Sequence, residues 1–325
     1  MKFNHQIKNA GYFQLFKKQG ESLSPLTDVF KNLITDAFLT WLDGREFVFL
    51  DSGTEIPNAR CAVGTSSTTP TVSDSALGSL VGYNASVVRS TSVTYDVDLD
   101  EVVCTSVVTF TFNQGAIVAN ISEVGVYYGN PSNSMLLKSR SLIKDSNGDP
   151  TAITLTADDQ LVVVYTDINS FGRTIEKSFT YNSVNYNIVG KFCGTSNMNT
   201  VAARGHSHNL ALGAIRNPNN TARVCENSYT FPAVTANTFG ANPSAYTPTS
   251  LTPANPTSGR KSKVRVPLAT GNYASGFTGL SFIVYGTTIT PFSSDPQWQF
   301  QVTPKVPKTN QFVFDLEFYH KNVRA

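Results

Sequence analysis

Apolar residues recur along this chain at two periods, and the change from one to the other marks its elements. In residues 12–16, "YFQLF", they crowd into a short strand that ends at Lys17, Lys18, Gln19 and Gly20, so the chain opens on a hairpin. The period then becomes helical. Ser24 followed by Pro25 fits an N-cap with proline at the first helical position. Val29, Phe30, Leu33, Ile34, Ala37, Phe38, Trp41 and Leu42 recur at spacings of three and four, and Gly44 suits the C-terminal cap. The pattern predicts an amphipathic helix over residues 25–43, packed on a sheet or on a neighbouring subunit, with Trp41 as a core anchor.

After Gly44 the period becomes two. "EFVFLD", "RCAVGTSS", "SVTYDVDLD", "VVCTSVVTFTF", "ISEVGVYYG", "SMLLKSRSLI" and "TAITLTADDQLVVVYTD" read as strands, separated by turns such as "NQG" and "SNGD". Their β-branched residues suit a pleated, half-buried surface. Many short strands between Gly, Asn and Asp turns indicate a β-sandwich or barrel.

The second half repeats blocks of the first in the same order. "GKFCGTSN" (190–197) is similar to "ARCAVGTSS" (59–67), and "LALGAI" (210–215) to "SALGSL" (75–80). "GLSFIVYG" (279–286) is similar to "SEVGVYYG" (122–129), and "NQFVFDLEFY" (310–319) to "DQLVVVYTD" (159–167). The expected fold is therefore all-β: two tandem β-sandwich domains, 1–172 and 173–325. The first adds the hairpin and helix. The second adds a Pro- and Thr-rich excursion over about residues 231–261, which cannot bury much apolar surface.

Composition narrows the function. Charged residues make up 15% of the chain, against about 25% in an ordinary soluble domain. Ser, Thr and Asn supply the missing polarity, so a partner can cover such a surface without desolvating many charges. The net charge of +2 gives no electrostatic case for nucleic acid. The basic run "GRKSKVR" (259–265) lacks interleaved aromatics and reads as a solvated turn. Cys61, Cys104, Cys193 and Cys225 form no CxxC pair and read as buried thiols. The first twenty residues lack the apolar run of a secretory signal, and no stretch approaches the ~20 apolar residues of a membrane span. A soluble chain made in the cytosol, with no membrane partner, is expected.

Catalytic motifs are missing from the sequence: no Gly-x-Ser-x-Gly elbow, P-loop or GxGxxG occurs, so no catalytic residue and no cofactor is assigned. Asp96, Asp98 and Asp100 share one strand face and read as solvated, with calcium as the alternative; Asp145–Asp149, "DSNGD", reads as a turn. In "RGHSHN", His206 and His208 alternate by two, so an extended backbone points both imidazoles to one side, as a metal would need. The other reading of that pair is an exposed polar loop. Tyr181 and Tyr186, among Asn and Ser, suit sugar contacts and equally an ordinary hairpin.

The stretch "KNLITDAFLTWLDG … RCAVGTSSTTPTVSDSALGSLVGY" resembles virion proteins of tailed bacteriophages. In those proteins a hairpin precedes a "(K/E)NLIT" helix, a "VGTG…P…D…L" block and an "IxExG" strand. The matching positions are Lys31 to Thr35; Val63, Gly64 and Thr65; Pro70, Asp74 and Leu77; Ile121, Glu123 and Gly125; and Thr156, Leu161, Val163 and Tyr165. Ser66 stands where the family has its second glycine. The resemblance covers the first half. It implies a non-enzymatic structural protein of the virion, in the tail, baseplate, collar or fibre attachment. Its expected partners are other virion proteins and copies of itself. A receptor-binding tail protein that contacts host-surface glycan, or a capsid decoration protein, is the alternative. Two sandwiches in series expose several sheet edges, to which neighbours can add strands.

Overall fold

A computed structural model describes residues 1–44, 59–84, 86–128, 135–193, 222–225, 229–233, 244–246, 260–266, 272–283, 297–311 and 314–325. The described residues are all-β with one short helix. Its elements are β1 (Lys2–Gln19), β2 (Ser22–Pro25), β3 (Phe30–Lys31), β4 (Leu33–Ile34), α1 (Asp36–Gly44), β5 (Arg60–Gly64), β6 (Leu80–Tyr83), β7 (Ser86–Asp96) and β8 (Glu101–Thr111). They continue with β9 (Ala119–Ile121), β10 (Glu123–Tyr128), β11 (Leu136–Leu142), β12 (Ile153–Leu155), β13 (Gln160–Gly172), β14 (Thr174–Tyr181) and β15 (Val184–Cys193). The last are β16 (Ala222–Cys225), β17 (Ser244–Tyr246), β18 (Arg260–Val266), β19 (Tyr273–Ile283), β20 (Gln297–Lys308) and β21 (Phe314–Arg324).

One long sheet organises the molecule, in the order β18-β21-β1-β13-β8-β7. The opening strand is eighteen residues long and lies inside this sheet, antiparallel to β13 and parallel to β21. The C-terminal strand thus joins the sheet built by the first 172 residues. The expected boundary at 172/173 falls between β13 and β14, which only Arg173 separates. Across it, sheet and core are both shared.

Strand alternation makes this sharing possible. On β1 the odd positions Phe3, His5, Ile7, Asn9, Phe13 and Leu15 are all buried, so one face of one strand serves two cores. Near its N-terminal end, Phe3 and Ile7 join Val102, Cys104 and Phe171 against Tyr186, Ile188, Phe192, Trp298 and Phe300. These last belong to the second sheet, β14-β15-β20-β19-β16-β17. Toward its other end, Phe13 and Leu15 join Phe110, Val163 and Tyr165 against Cys61, Val124 and Val126 of the third sheet, β4-β11-β10-β5-β6.

The helix differs from expectation. It covers 36–44 and not 25–43: Ser24 and Pro25 lie in β2, and Leu33–Ile34 form β4. The reason is the far edge of β1, whose peptide groups from Gly11 onward lie beyond the end of β21 and need partners. β2 pairs with Phe16–Gln19, β3 pairs with Tyr12–Phe13, Leu26 donates to the Leu15 carbonyl and Asn32 to that of Gly11. These pairings override the 3.6-residue period, and Val29 is left 60% exposed. The true N-cap is Thr35, whose Oγ1 accepts from the Phe38 N–H at 3.2 Å. The opening hairpin is present and turns at Gly20, at φ +59°.

The repeated blocks take different positions. β5, with Cys61, lies beside β10, whereas β15, with Cys193, is separated from β19 by β20. The strand that flanks β19 on its other side is β16, "ARVC". Most of 231–261 lies outside the described residues; within it Ser244–Tyr246 form β17, and Arg260 and Lys261 open β18.

Candidate functional site

Four of the positions that carry the phage resemblance, Gly64, Asp74, Leu77 and Glu123, meet in one structure. Residues 65–79 leave β5 as a polar surface loop. Glu123, at the start of β10 and fully buried, reaches under it. Its carboxylate accepts from the N–H groups of Ser66 (3.3 Å), Gly78 (3.1 Å) and Ser79 (2.8 Å), and from Arg140 Nε (2.8 Å). Arg140, on β11, then donates to Asp74 Oδ2 at 2.6 Å and to the Thr68 carbonyl at 3.0 Å. Burial works to raise the Asp74 pKa; the hydrogen bonds from Thr71 and Arg140 outweigh it and hold the carboxyl below its usual value. Leu77 packs in a small cluster with Ala62, Tyr127 and Leu137, and its N–H donates to the Tyr127 hydroxyl. A Cβ on Gly64 would lie under 3.0 Å from the Ser79 carbonyl and Glu123 Oε1, so only glycine lets the carboxylate approach. The motif Gly64–Asp74–Leu77–Glu123 is thus a clamp that fixes the loop. Thr65, Ser67, Thr68, Thr69, Thr71 and Val72 remain exposed at its surface.

A second ionic cluster fills the interior where the two cores meet. Lys138 of β11 is fully buried, with Nζ 2.7 Å from Asp167 Oδ2 of β13. The ammonium lies 5.0–5.3 Å from the ring centroids of Phe38, Tyr128 and Tyr165. Burial works against its charge, and the Asp167 carboxylate outweighs that, so the Lys138 pKa lies above the ordinary lysine value. Burial also raises the Tyr165 hydroxyl to about 12. Beside the pair, Arg89, Ser106, Tyr128 and Tyr165 line a small cavity of about 10 Å³. That is room for one water, not for a substrate.

A margin of the long sheet is the third feature. Among the described strands β7 pairs with β8 alone, over all eleven residues and without a bulge. Its odd positions face the cores; Ser86, Val88, Ser90, Ser92 and Thr94 face outward and are exposed, Val88 at 68%. The outer face continues in register. Val88 aligns with Thr109, Val164 and Gln14; Ser90 aligns with Val107, Thr166 and Tyr12. None of these side chains belongs to a core.

The other marked residues are accounted for as follows. His206 and His208 lie outside the described residues. Among the described residues, no group of three or more His, Cys, Asp or Glu side chains is arranged to hold a metal ion. Asp98 and Asp100 do not share a strand face with Asp96. They form the β7–β8 turn, where Asp96 Oδ1 accepts from the Asp98 and Leu99 N–H groups and Asp100 accepts from the Tyr95 hydroxyl. Asp145 likewise accepts from Asn147 and Asp149 N–H, which makes "DSNGD" a turn. Tyr186 is buried and stacked on Phe179, so its ring is not available to a sugar. Cys61, Cys104 and Cys193 are buried free thiols; burial, and after it Asp167, pushes Cys104 up to about 12. The "GRKSKVR" run is not a turn: Arg260–Val266 form β18. No residue of the interior ion pair stood out in the sequence, because a lysine and an aspartate in alternating strands read as solvent-facing.

No protein-family model matches this chain, and neither does any curated protein or solved structure.

Proposed function

We propose that this chain is a non-enzymatic structural subunit of a tailed-bacteriophage virion, assembled into the tail, baseplate, collar or fibre attachment through its sheet margin and its clamped loop. The observation that carries this reading is the β7 margin. There β7, eleven residues and roughly 36 Å long, ends the strand order of the long sheet, with β8 its one partner among the described strands. A margin of this kind is a hazard in a solitary protein and a joint in an assembly. The clamp adds a second contact surface, because loop 65–79 is held in one conformation and loses little entropy when a partner covers it. The resemblance supplies the virion; the margin and loop supply the means of assembly.

The test is immunogold electron microscopy of purified particles with antibody to this chain. Gold confined to the tail, neck or baseplate is expected. Gold over the head would make the chain a decoration protein, and particles without gold would remove the reading.

A further inference from the structure

We infer that the uncharged half of the long sheet's outer face packs against the same half of a second copy of this chain, sheet on sheet, about a two-fold axis beside Val107 and Thr166. The inference deepens the assembly reading above and rests on its premise that the chain works as an assembled subunit.

The outer face of the long sheet divides in two. Across β7, β8, β13 and β1 the ladders align five rows, from Ser86–Thr111–Val162–Phe16 to Thr94–Val103–Ser170–Lys8. Lys8 is the one charged residue in these rows; it stands at a corner and is paired with Glu101. Inside the block Tyr12, Val103, Val107, Val164 and Ile168 are set among threonines and serines, and none of them belongs to a core. Across β21 the same face carries Asp315, Glu317 and Lys321, with Lys2 beside Glu317. A sheet face turned to water ordinarily carries charge, as the β21 half does. The other half departs from that over a continuous block, in a chain with 25 Lys and Arg and 23 Asp and Glu to distribute.

The block is large enough for a stable pair. With strands about 4.8 Å apart and rows about 6.8 Å apart, it covers roughly 650 Å² on each copy, or about 1,300 Å² in all, above the ~1,000 Å² that a specific interface needs. It is also accessible: Val88, Ser90, Ser92 and Thr94 are exposed along its β7 side. A second copy is the occupant because the block matches itself. A charged surface laid on it would lose hydration without gaining an ion pair. The same block on a second copy loses none. A two-fold axis at its centre lays the two blocks over each other at the ~10 Å spacing of a sandwich.

Sedimentation equilibrium of the native chain over about 1–100 μM should show a mass approaching twice 35.3 kDa. Val107→Lys/Val164→Lys puts two ammonium groups of each copy at the centre of the contact and should weaken association at least about tenfold. Val97→Lys/Leu99→Lys places the same charge on the exposed β7–β8 turn, beyond the last row, and should leave association unchanged. Circular dichroism and melting temperature check that the variants are folded. If the lysines at Val107 and Val164 lower the melting temperature, Ser90→Lys/Ser92→Lys, at exposed positions of the same face, takes their place. A native monomer throughout the range overturns the inference. So does a dimer indifferent to the face lysines, or one weakened equally by the turn lysines. A monomer that still labels particles removes this contact and leaves the virion reading standing; a dimer absent from particles does the reverse.

Discussion

The two ends of the long sheet share strands β1, β8 and β13 but are held to their covering layers by different physics. At the end near Phe3, the cover is aromatic. Trp298 lies within 5.4–6.3 Å of His5, Phe192 and Phe300, centroid to centroid, and Phe171 meets Phe192 edge-on at 5.2 Å. At the end near Leu15 aromatic contacts recur, Phe13 on Tyr165 at 5.0 Å, and a buried charge pair is added to them, Lys138–Asp167; the Glu123–Arg140–Asp74 clamp fixes the far face of the same cover. Aromatic burial supplies most of its stabilisation through area removed from water, with a smaller part from edge-to-face geometry. A buried ion pair adds little net stability but penalises every arrangement that separates the charges. The end with the clamped loop is therefore the end whose shape is most closely specified.

Substitutions can separate the two modes. Trp298 is 1% exposed, so Trp298→Ala should cost about 3–5 kcal/mol in urea unfolding, and a volume-conserving aromatic should recover most of it. Lys138→Met should cost a similar or slightly smaller amount, about 3–5 kcal/mol, because it leaves Asp167 charged and buried. The double change Lys138→Met/Asp167→Leu should return close to native stability; a double variant as weak as the single one would mean that the pair itself carries the stability. Glu123→Gln should cost less, about 1–3 kcal/mol, and act locally. Hydrogen exchange at the Ser66, Gly78 and Ser79 amides should quicken while the Trp298 end is unchanged, since those amides bond the Glu123 carboxylate.

The smallest expected effect is a pH dependence confined to the aromatic end. His5 is buried with Nε2 3.0 Å from the Gly172 carbonyl; burial lowers its pKa below the ordinary 6.5, and that hydrogen bond only partly opposes the shift. The folded chain therefore binds the proton less readily than the unfolded one. Stability from this site is complete above pH 6.5 and is lost as pH falls through the folded-state value. His5→Phe should flatten the slope measured by urea unfolding between those limits. An unchanged slope would assign it to another group.

Much of this was legible from residue order. Residue order gave β5, β7, β8, β10, β11, β12 and β13 but not β6 (Leu80–Tyr83), and the resemblance picked out Gly64, Asp74, Leu77 and Glu123 before their contacts were visible. The sequence did not reveal Arg140 as the group that ties Glu123 to Asp74, because an arginine in "LLKSRSL" looks solvent-facing. The helix was overdrawn by eleven residues for the same kind of reason: 25–35 has a helical period, but its peptide groups are taken by the edge of β1. Local pattern reports which side chains prefer burial. It does not report which peptide groups elsewhere lack partners.

By itself the sequence determined that the chain is all-β, that its cysteines Cys61, Cys104 and Cys193 are buried thiols and that its surface is poor in charge. These follow from side-chain chemistry and periodicity, which are local. Only the tertiary structure decided that β1 and β21 lie side by side, that one strand face serves two cores and that β7 ends the order of the long sheet among the described strands. Strand neighbours are set by hydrogen bonds between residues as far apart as Lys2 and Glu317, and no local pattern encodes such a pairing.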